Sequence, residues 1–397
     1  MQTVEKAADK NKQPATQHGK WVETAMGIMY IRDERVQFVD DWDHWRNGFC
    51  RLLEIDEDKA RRFVEETVAQ ARHLLGKPYH ELSEQNKVRC LKEATTKILY
   101  GGSRPKQPEM QESWGKDLQG DGPDTVYAFS ISGNQDRIVV GNSKNEFAWL
   151  IDPKTNTKVH ADSIVYDNQY FGSEGKAHYG MKHYSSQMGW RMEKARRFTK
   201  TMLEGLGEER SKWLQDPSKI NIMDVGSGIG YFRKAYDEAG LKHYGIDLSK
   251  DIIAQCKELF GFDTWNVHLD KLDTVTGGTK FHIITMWDVI EHLEDPIGAV
   301  KTLTKHLTPD GVIALRTPNL AATEADVLGD YYYSFKFDHV KYFSTKSLEW
   351  AMGEAGTKPV YVETTSHIFK GALSPDFMYR EGEEMRGADI FGIYGIK

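Results

Sequence analysis

The residues best suited to chemistry fall in four short stretches of the second half of the chain. The first is MDVGSGIGYF, residues 223–232, where Asp224 precedes Gly226, Gly228 and Gly230. Glycines at this spacing let a strand turn sharply into a helix and let a ligand approach the backbone with no Cβ in the way. The dinucleotide fingerprint G-x-G-x-x-G would need Gly or Ala at 231, where Tyr231 stands. Asp224 also places a negative charge just before the loop, which suits an ammonium group better than a pyrophosphate at a helix N-terminus. The second stretch, HYGID, ends on Asp247, 21 residues beyond Gly226. An acidic residue at such a strand end can accept both hydroxyls of a ribose. It could instead cap the next helix, a role Ser249 would fill equally well. The last two stretches hold His292, in VIEHLEDP, and His339, in FDHVKYF. Histidine is the usual general base near neutral pH. The structural alternative is that Glu291 and His292 cap and orient a turn.

An alternating pattern must position these residues. From Ile220 onward the apolar runs INIMDV, HYGID, FDTWNV, FHIITMW and GVIALRT alternate with helical YFRKAYDEAG, SKDIIAQCKELFG and PIGAVKTLTKHL. That predicts α/β architecture: βα units on a parallel, doubly wound sheet. PVYVETT and DIFGIYGIK are expected to close it as a terminal antiparallel hairpin. Ligands bind such sheets at the carboxyl ends of the strands, where all four stretches fall. Upstream, the chain reads as a disordered polar tail (1–20), a helical N-terminal region (21–105), a Gly- and Pro-rich loop (101–124) and a small β-rich region (125–165). A helical lid or arm (166–215) then leads into the α/β domain of 216–397.

Composition narrows the function classes. The 397 residues are 39% hydrophobic and 11% aromatic, with 10 Trp, far too rich for a disordered chain. No run approaches the ~18 apolar residues of a membrane span, and residues 1–20 lack the apolar core of a signal peptide. A net charge of −7 gives no general attraction to nucleic acid. Cys50, Cys90 and Cys256 are few and far apart, which fits a reducing, cytoplasmic setting. With no HExxH and no paired Cys-x-x-Cys, no metal site is expected, and Glu291, Glu294 and Asp295 read as solvated turn residues.

DVGSGIG, GIDLS, MWDVIEHLEDP and DHVKYFSTKSLEWAMGEAG, in this order and spacing, resemble the class I S-adenosylmethionine-dependent methyltransferases. The resemblance is closest to the branch holding ubiquinone-type O-methyltransferases and natural-product and sugar methyltransferases, and covers residues 166–397. It implies a seven-stranded Rossmann-like sheet with S-adenosyl-L-methionine as cofactor. Asp224, Gly226, Ser227, Gly228 and Gly230 would line the methionine part, Asp247 the ribose, and Leu248 the adenine. Leu269 and Asp270 would approach the adenine amino group, and Met286 and Trp287 would lie under the sulfonium. In the segment 166–191, which forms a lid in the family, Tyr170, Tyr179, Tyr184 and Arg191 are candidates, Arg191 as partner of the cofactor's carboxylate. His292 and His339 would be base or substrate contacts.

The expected reaction is O-methylation of a small molecule, natural-product intermediate or sugar. WDVIEH replaces the D/N-P-P-Y/F motif of nucleic-acid amine methylation, so neither nucleic acid nor membrane is expected as partner. The N-terminal region is left for a homodimer contact or for a carrier or peptide partner. Three alternatives accompany this reading. One is N- or C-methylation of a peptide- or protein-bound acceptor. Another is a non-catalytic S-adenosylmethionine-binding protein. The third, a nicotinamide-dependent oxidoreductase, is opposed by Tyr231.

Overall fold

Runs such as INIMDV and FHIITMW are apolar on both faces, which only a strand covered on both sides can use. The computed structural model bears this out. It describes residues 53, 55–104, 106, 108–128, 137–164, 188–365, 369, 372–373 and 385–397, with the backbone alone of 19–24, 27–32, 35–38 and 190. The chain divides into two units, Met1–Lys106 with His367–Met378, and Gln107–Ser366 with Tyr379–Lys397.

In the first unit β1 (Gly19–Thr24), β2 (Gly27–Arg32) and β3 (Arg35–Phe38) form an antiparallel meander. Residues 21–38, read from sequence as part of a helical region, are therefore largely strand. The intervals of two residues between these strands match hairpin connections, a signal that helical spacing does not capture. Helix α1 (Glu57–Leu75) starts where the Asp56 carboxylate accepts the Lys59 N–H at 2.7 Å and stops at Gly76, φ 64°. It packs on α2 (Glu84–Ala94) through Ala71, Leu82 and Cys90.

The second unit opens with β4 (Thr125–Ala128), β5 (Ile138–Asn142), β6 (Phe147–Asp152) and β7 (Thr157–Lys158). After α3 (Met188–Glu204) come β8 (Asn221–Val225), α4 (Tyr231–Glu238), β9 (Lys242–Ile246) and α5 (Lys250–Phe260). These are followed by β10 (Phe281–Trp287), α6 (Pro296–Thr304), β11 (Leu307–Pro318) and α7 (Thr323–Leu328). The unit ends with β12 (Lys341–Phe343), α8 (Thr345–Glu354), β13 (Thr357–Thr365) and β14 (Asp389–Ile396). The main sheet has the order β13-β14-β11-β10-β8-β9. Strands β8 to β11 are parallel, while β14 and β13 run as the expected antiparallel hairpin.

Among the described residues the main sheet has six strands, where the resemblance implied seven. FDTWNV contributes a single bridge, Trp265 to Ile246. Beyond the bridge, Asn266 Nδ2 donates to the Asp247 and Leu248 carbonyls at 3.0 and 2.9 Å, so a side chain and not the backbone continues the contact.

Side chains alternate between two cores. Met223, Val225, Ile284 and Met286 pack with Val300, Leu303 and Leu348 of α6 and α8. Ile222, Ile283 and Trp287 pack with Phe198, Met202 and Tyr236 of α3 and α4. The β-rich region does not stand apart from this unit. It forms a second sheet, β12-β6-β5-β4, whose first strand belongs to the α/β run. Lys341 pairs with Trp149 and Phe343 with Phe147. Trp149 is fully buried, and its Nε1–H donates to the Trp114 carbonyl at 2.7 Å.

Trp149→Ala should therefore cost about 3–5 kcal/mol, the usual loss for emptying a buried aromatic site. Urea unfolding followed by far-ultraviolet circular dichroism should show this as a lower midpoint of the transition that reports the main sheet. A separate early transition would mean that the two sheets fold independently.

Candidate active site

The glycine loop leaves β8 at Val225 with φ of 65° at Gly226, 54° at Gly228 and 96° at Gly230, a left-handed path costly for any side chain. A Cβ on Gly230 would also lie 2.7 Å from Cys256 Sγ. Asp247 holds the loop from the neighbouring strand. Its Oδ2 accepts the Gly228 N–H and its Oδ1 the Ser249 N–H, both at 2.9 Å. Burial raises its pKa against these backbone donors. The helix cap itself belongs to Ser249, whose Oγ accepts the Ile252 N–H. Each carboxylate oxygen of Asp247 keeps acceptor capacity. The Ser227 hydroxyl turns back toward β9, 2.8 Å from where a Cβ on Gly245 would sit, so this residue offers the loop face only its backbone.

Asp224 does not face the loop's ligand side. Its carboxyl lies inside the sheet, accepting the Thr285 Oγ1–H at 2.7 Å, and burial pushes its pKa up to about 7. The charge that the sequence suggested ahead of the loop is thus reduced by burial and held inside the sheet. Thr285 in turn accepts from the Tyr236 hydroxyl at 3.1 Å, and Tyr236 accepts the Trp287 Nε1–H at 2.6 Å. Trp287 is consequently a core residue, with its ring 5.0 Å from Phe232 and 5.6 Å from Phe391. Met286 is buried in the opposite core. Leu248 is 58% exposed beside Asp247, and Leu269 is buried. Asp270 has a side chain 78% exposed that pairs with His268 at 3.0 Å, so it is a surface acid. Arg191 lies half-buried on the first turn of α3. Tyr170, Tyr179 and Tyr184 lie outside the described residues.

His292 and His339 do come together. Their rings stand edge to face with centroids 4.8 Å apart. His292 Nδ1 is 2.8 Å from the Asp338 carbonyl, and His339 Nδ1 is 2.8 Å from the Ser334 carbonyl. A carbonyl only accepts, so each Nδ1 carries its hydrogen and each neutral ring keeps its lone pair on Nε2. Burial pushes the His339 pKa down to about 3. Glu291 is not the solvated turn residue expected. It is 1% exposed, Oε2 accepts the Thr317 Oγ1–H at 3.0 Å, and Oε1 has no hydrogen-bond partner among the described residues. Burial holds its pKa high. One ligand atom from each of Glu291, His292 and His339 lies within 4.8 Å of the others. Asp295 caps α6 by accepting the Gly298 N–H at 2.8 Å.

Sequence reading missed a charge network at the same edge. Asp288, just past β10, has φ 56°, and its carboxylate binds Arg316 and, at 3.4 Å, Lys194. Arg316 reaches Asp389 at 2.6 Å. Burial opposes the ionised form of Asp288, yet Arg316 and Lys194 outweigh it and hold its pKa well below the usual carboxylate range. Burial pulls Lys194 down to about 8. These residues lie 195 positions apart at the extremes (194 to 389), and no local pattern links them.

Residues 192–362 match the family model described as a methyltransferase domain. Within this region the chain is 28% identical over 106 residues to the ubiquinone biosynthesis O-methyltransferase of Haemophilus ducreyi, a stretch covering 25% of this chain and 45% of that protein. It is 29% identical over 113 residues to the corresponding protein of Hydrogenovibrio crunogenus, covering 27% and 46%. The chain thus spans less than half the length of these curated relatives. Among solved structures, the plantazolicin methyltransferase BamL is 16% identical, with a TM-score of 0.38 over 58% of this chain and 93% of that one. Residues 192–362 are thus similar in sequence to methyltransferase domains. Among the described residues no helix is long and apolar enough to cross a membrane.

The Asp224 pKa of about 7 lies above its ordinary 3.8, so the folded state keeps a proton that the unfolded chain loses. Wild-type stability should fall as pH rises from about 4 to about 7 on this group's account. Asp224→Asn keeps the acceptor for Thr285 but cannot titrate. Its melting temperature should gain on wild type across that window and run parallel above it. A constant difference would show that Asp224 is ionised throughout.

Proposed function

We propose that the chain transfers the methyl group of S-adenosylmethionine to an oxygen of a small molecule, with His292 and His339 on the acceptor side. The observation that carries this reading is the convergence of two imidazoles at the carboxyl edge of the sheet, each with its tautomer held by a backbone carbonyl. The glycine loop fits the cofactor. Asp247 retains acceptor capacity for ribose hydroxyls beside the exposed, apolar Leu248, a surface suited to a flat base. Bound there, the cofactor supplies an activated methyl group together with its own leaving group. The chain's part is alignment and proton removal. The acceptor hydroxyl gives its proton to a histidine Nε2 as its oxygen takes the methyl group. Burial keeps His339 neutral but also lowers its basicity, which suits it to hydrogen-bonding the acceptor and leaves His292 as the nearer candidate for taking the proton. The ubiquinone biosynthesis relatives favour oxygen as the atom methylated.

A second reading rests on the same cluster. One ring nitrogen from each histidine and a carboxylate oxygen of buried Glu291, within 4.8 Å of one another, form a donor set that could hold a divalent cation. Such an ion would lower the pKa of an acceptor hydroxyl, with Glu291, His292 and His339 as its ligands.

Calorimetric titration should show micromolar binding of S-adenosylmethionine and S-adenosylhomocysteine and no binding of NADH; binding of NADH alone would overturn the reading. Asp247→Ala should weaken S-adenosylhomocysteine by about 1.5–3 kcal/mol, the worth of a hydrogen bond to a charged group.

With phenolic and catecholic acceptors, His292→Gln and His339→Gln should each lower turnover by about 10²–10⁴-fold while cofactor affinity holds. Dialysis against EDTA should leave the rate unchanged if a histidine is the base. Loss restored by Mg²⁺ or Zn²⁺ would select the metal reading.

A further inference from the structure

The backbone flanking each histidine of the pair is anchored to one and the same upstream segment. Two residues past His339, β12 begins, and it is paired over its whole length with β6. Phe343 and Phe147 pack edge to face with centroids 5.3 Å apart. The Ser347 Oγ–H donates to the Glu146 carbonyl at 2.8 Å. Two residues past His292 stands Glu294, which crosses to the end of the same segment. Its Oε1 meets His160 Nδ1 and its Oε2 accepts the Ala161 N–H, both at 3.0 Å. Residues 160–161 stand one residue beyond β7, itself paired with β6. Lys341, buried in β12, directs its charge toward Glu294 and Asp295. Segment 147–161 therefore reaches both histidines, through a strand on one side and through a single carboxylate on the other.

We propose that segment 147–161 is a brace that sets the separation of His292 and His339, and that Glu294 is the positioning residue through which it holds the His292 loop. The inference rests on the reading of the two histidines as the acceptor-side pair. It assigns the upstream sheet to the geometry of that pair, not to recognition of a separate partner. The two attachments are unequal. The β12 side is secured by backbone pairing and packing, whereas the His292 side depends on one half-exposed side chain that can be removed without opening a core.

The test uses the full chain with ¹⁵N-labelled histidine, with His292 and His339 assigned by His→Gln substitution. In the wild type each ring should show a protonated Nδ1 and an unprotonated Nε2. Glu294→Ala should shift the His292 nitrogens toward a tautomeric average and move those of His339 less. Glu294→Gln, which still offers an oxygen to Ala161 and a donor to His160, should restore the wild-type pattern. Ala161→Pro attacks the contact from the other side. It deletes the N–H at the first position of a short helix, after an extended His160 that tolerates a following proline, and should reproduce the shift seen in Glu294→Ala. Melting temperature and S-adenosylhomocysteine affinity should stay at wild-type values in all three variants. Unchanged His292 nitrogens in both Glu294→Ala and Ala161→Pro would overturn the brace. Failure of the wild type to bind S-adenosylhomocysteine would overturn the functional reading instead, with the brace still measured by the nitrogen shifts.

Discussion

The hydrogen-bonded chain from Trp287 through Tyr236 and Thr285 to Asp224 is the interaction on which the rest of the molecule depends. It runs through the apolar layer between the main sheet and α3 and α4, where an unsatisfied polar atom is expensive. Thr285 on β10 donates to β8 atoms, the Asp224 carboxyl and the Met223 carbonyl, so the chain ties β8 to β10 and α4 to both. Helix α4 begins at Gly230, the last glycine of the loop. The loop's left-handed path is thus set from beneath by this chain and from the side by Asp247. A network of this kind specifies one arrangement, since a shifted strand register would strand several buried groups at once.

At the carboxyl edge the same economy works with charge. Asp288, Arg316, Asp389 and Lys194 sit where β10, β11 and β14 end against α3. Buried ions persist only when paired and hydrogen-bonded, and here each carboxylate meets a guanidinium. Asp288 also carries a positive φ at the point where β10 gives way to the His292 turn. That strain is sustained by the ion pairs around it. The edge is therefore tied together by paired charges directly beside the histidines.

The sheet of β4, β5, β6 and β12 changes how the domain is understood. The similarity to known methyltransferases covers residues 192–362, while strands from residues 125–152 share a sheet with β12 inside that range. What looks in sequence like an upstream appendage completes the packing around Phe343 and α8. Its Trp149 and Phe147 belong to the same apolar cluster as Met286 and Leu315.

Local patterns determined much of this protein. Alternating βα units, the left-handed glycines, Asp247 at a strand end, the Ser249 cap and the terminal hairpin all depend on contacts close in sequence or on period, and each was legible in the residues. The strands at 19–38 were hidden because helical spacing downstream masked a hairpin interval. The run FDTWNV contributes one bridge, after which the Asn266 side chain, not the backbone, meets the neighbouring loop. Only the tertiary structure decided which polar residues are buried. Asp224 turned its carboxyl into the sheet, where burial weakens its charge, Glu291 went inside instead of out, Trp287 joined the core, and Asp270 stayed in solvent. Only folding could bring His292 to His339, Arg316 to Asp389 and Glu294 to His160 and Ala161. Desolvation and pairing are set by neighbours tens to hundreds of residues away, and a pattern of period two or 3.6 carries no record of them.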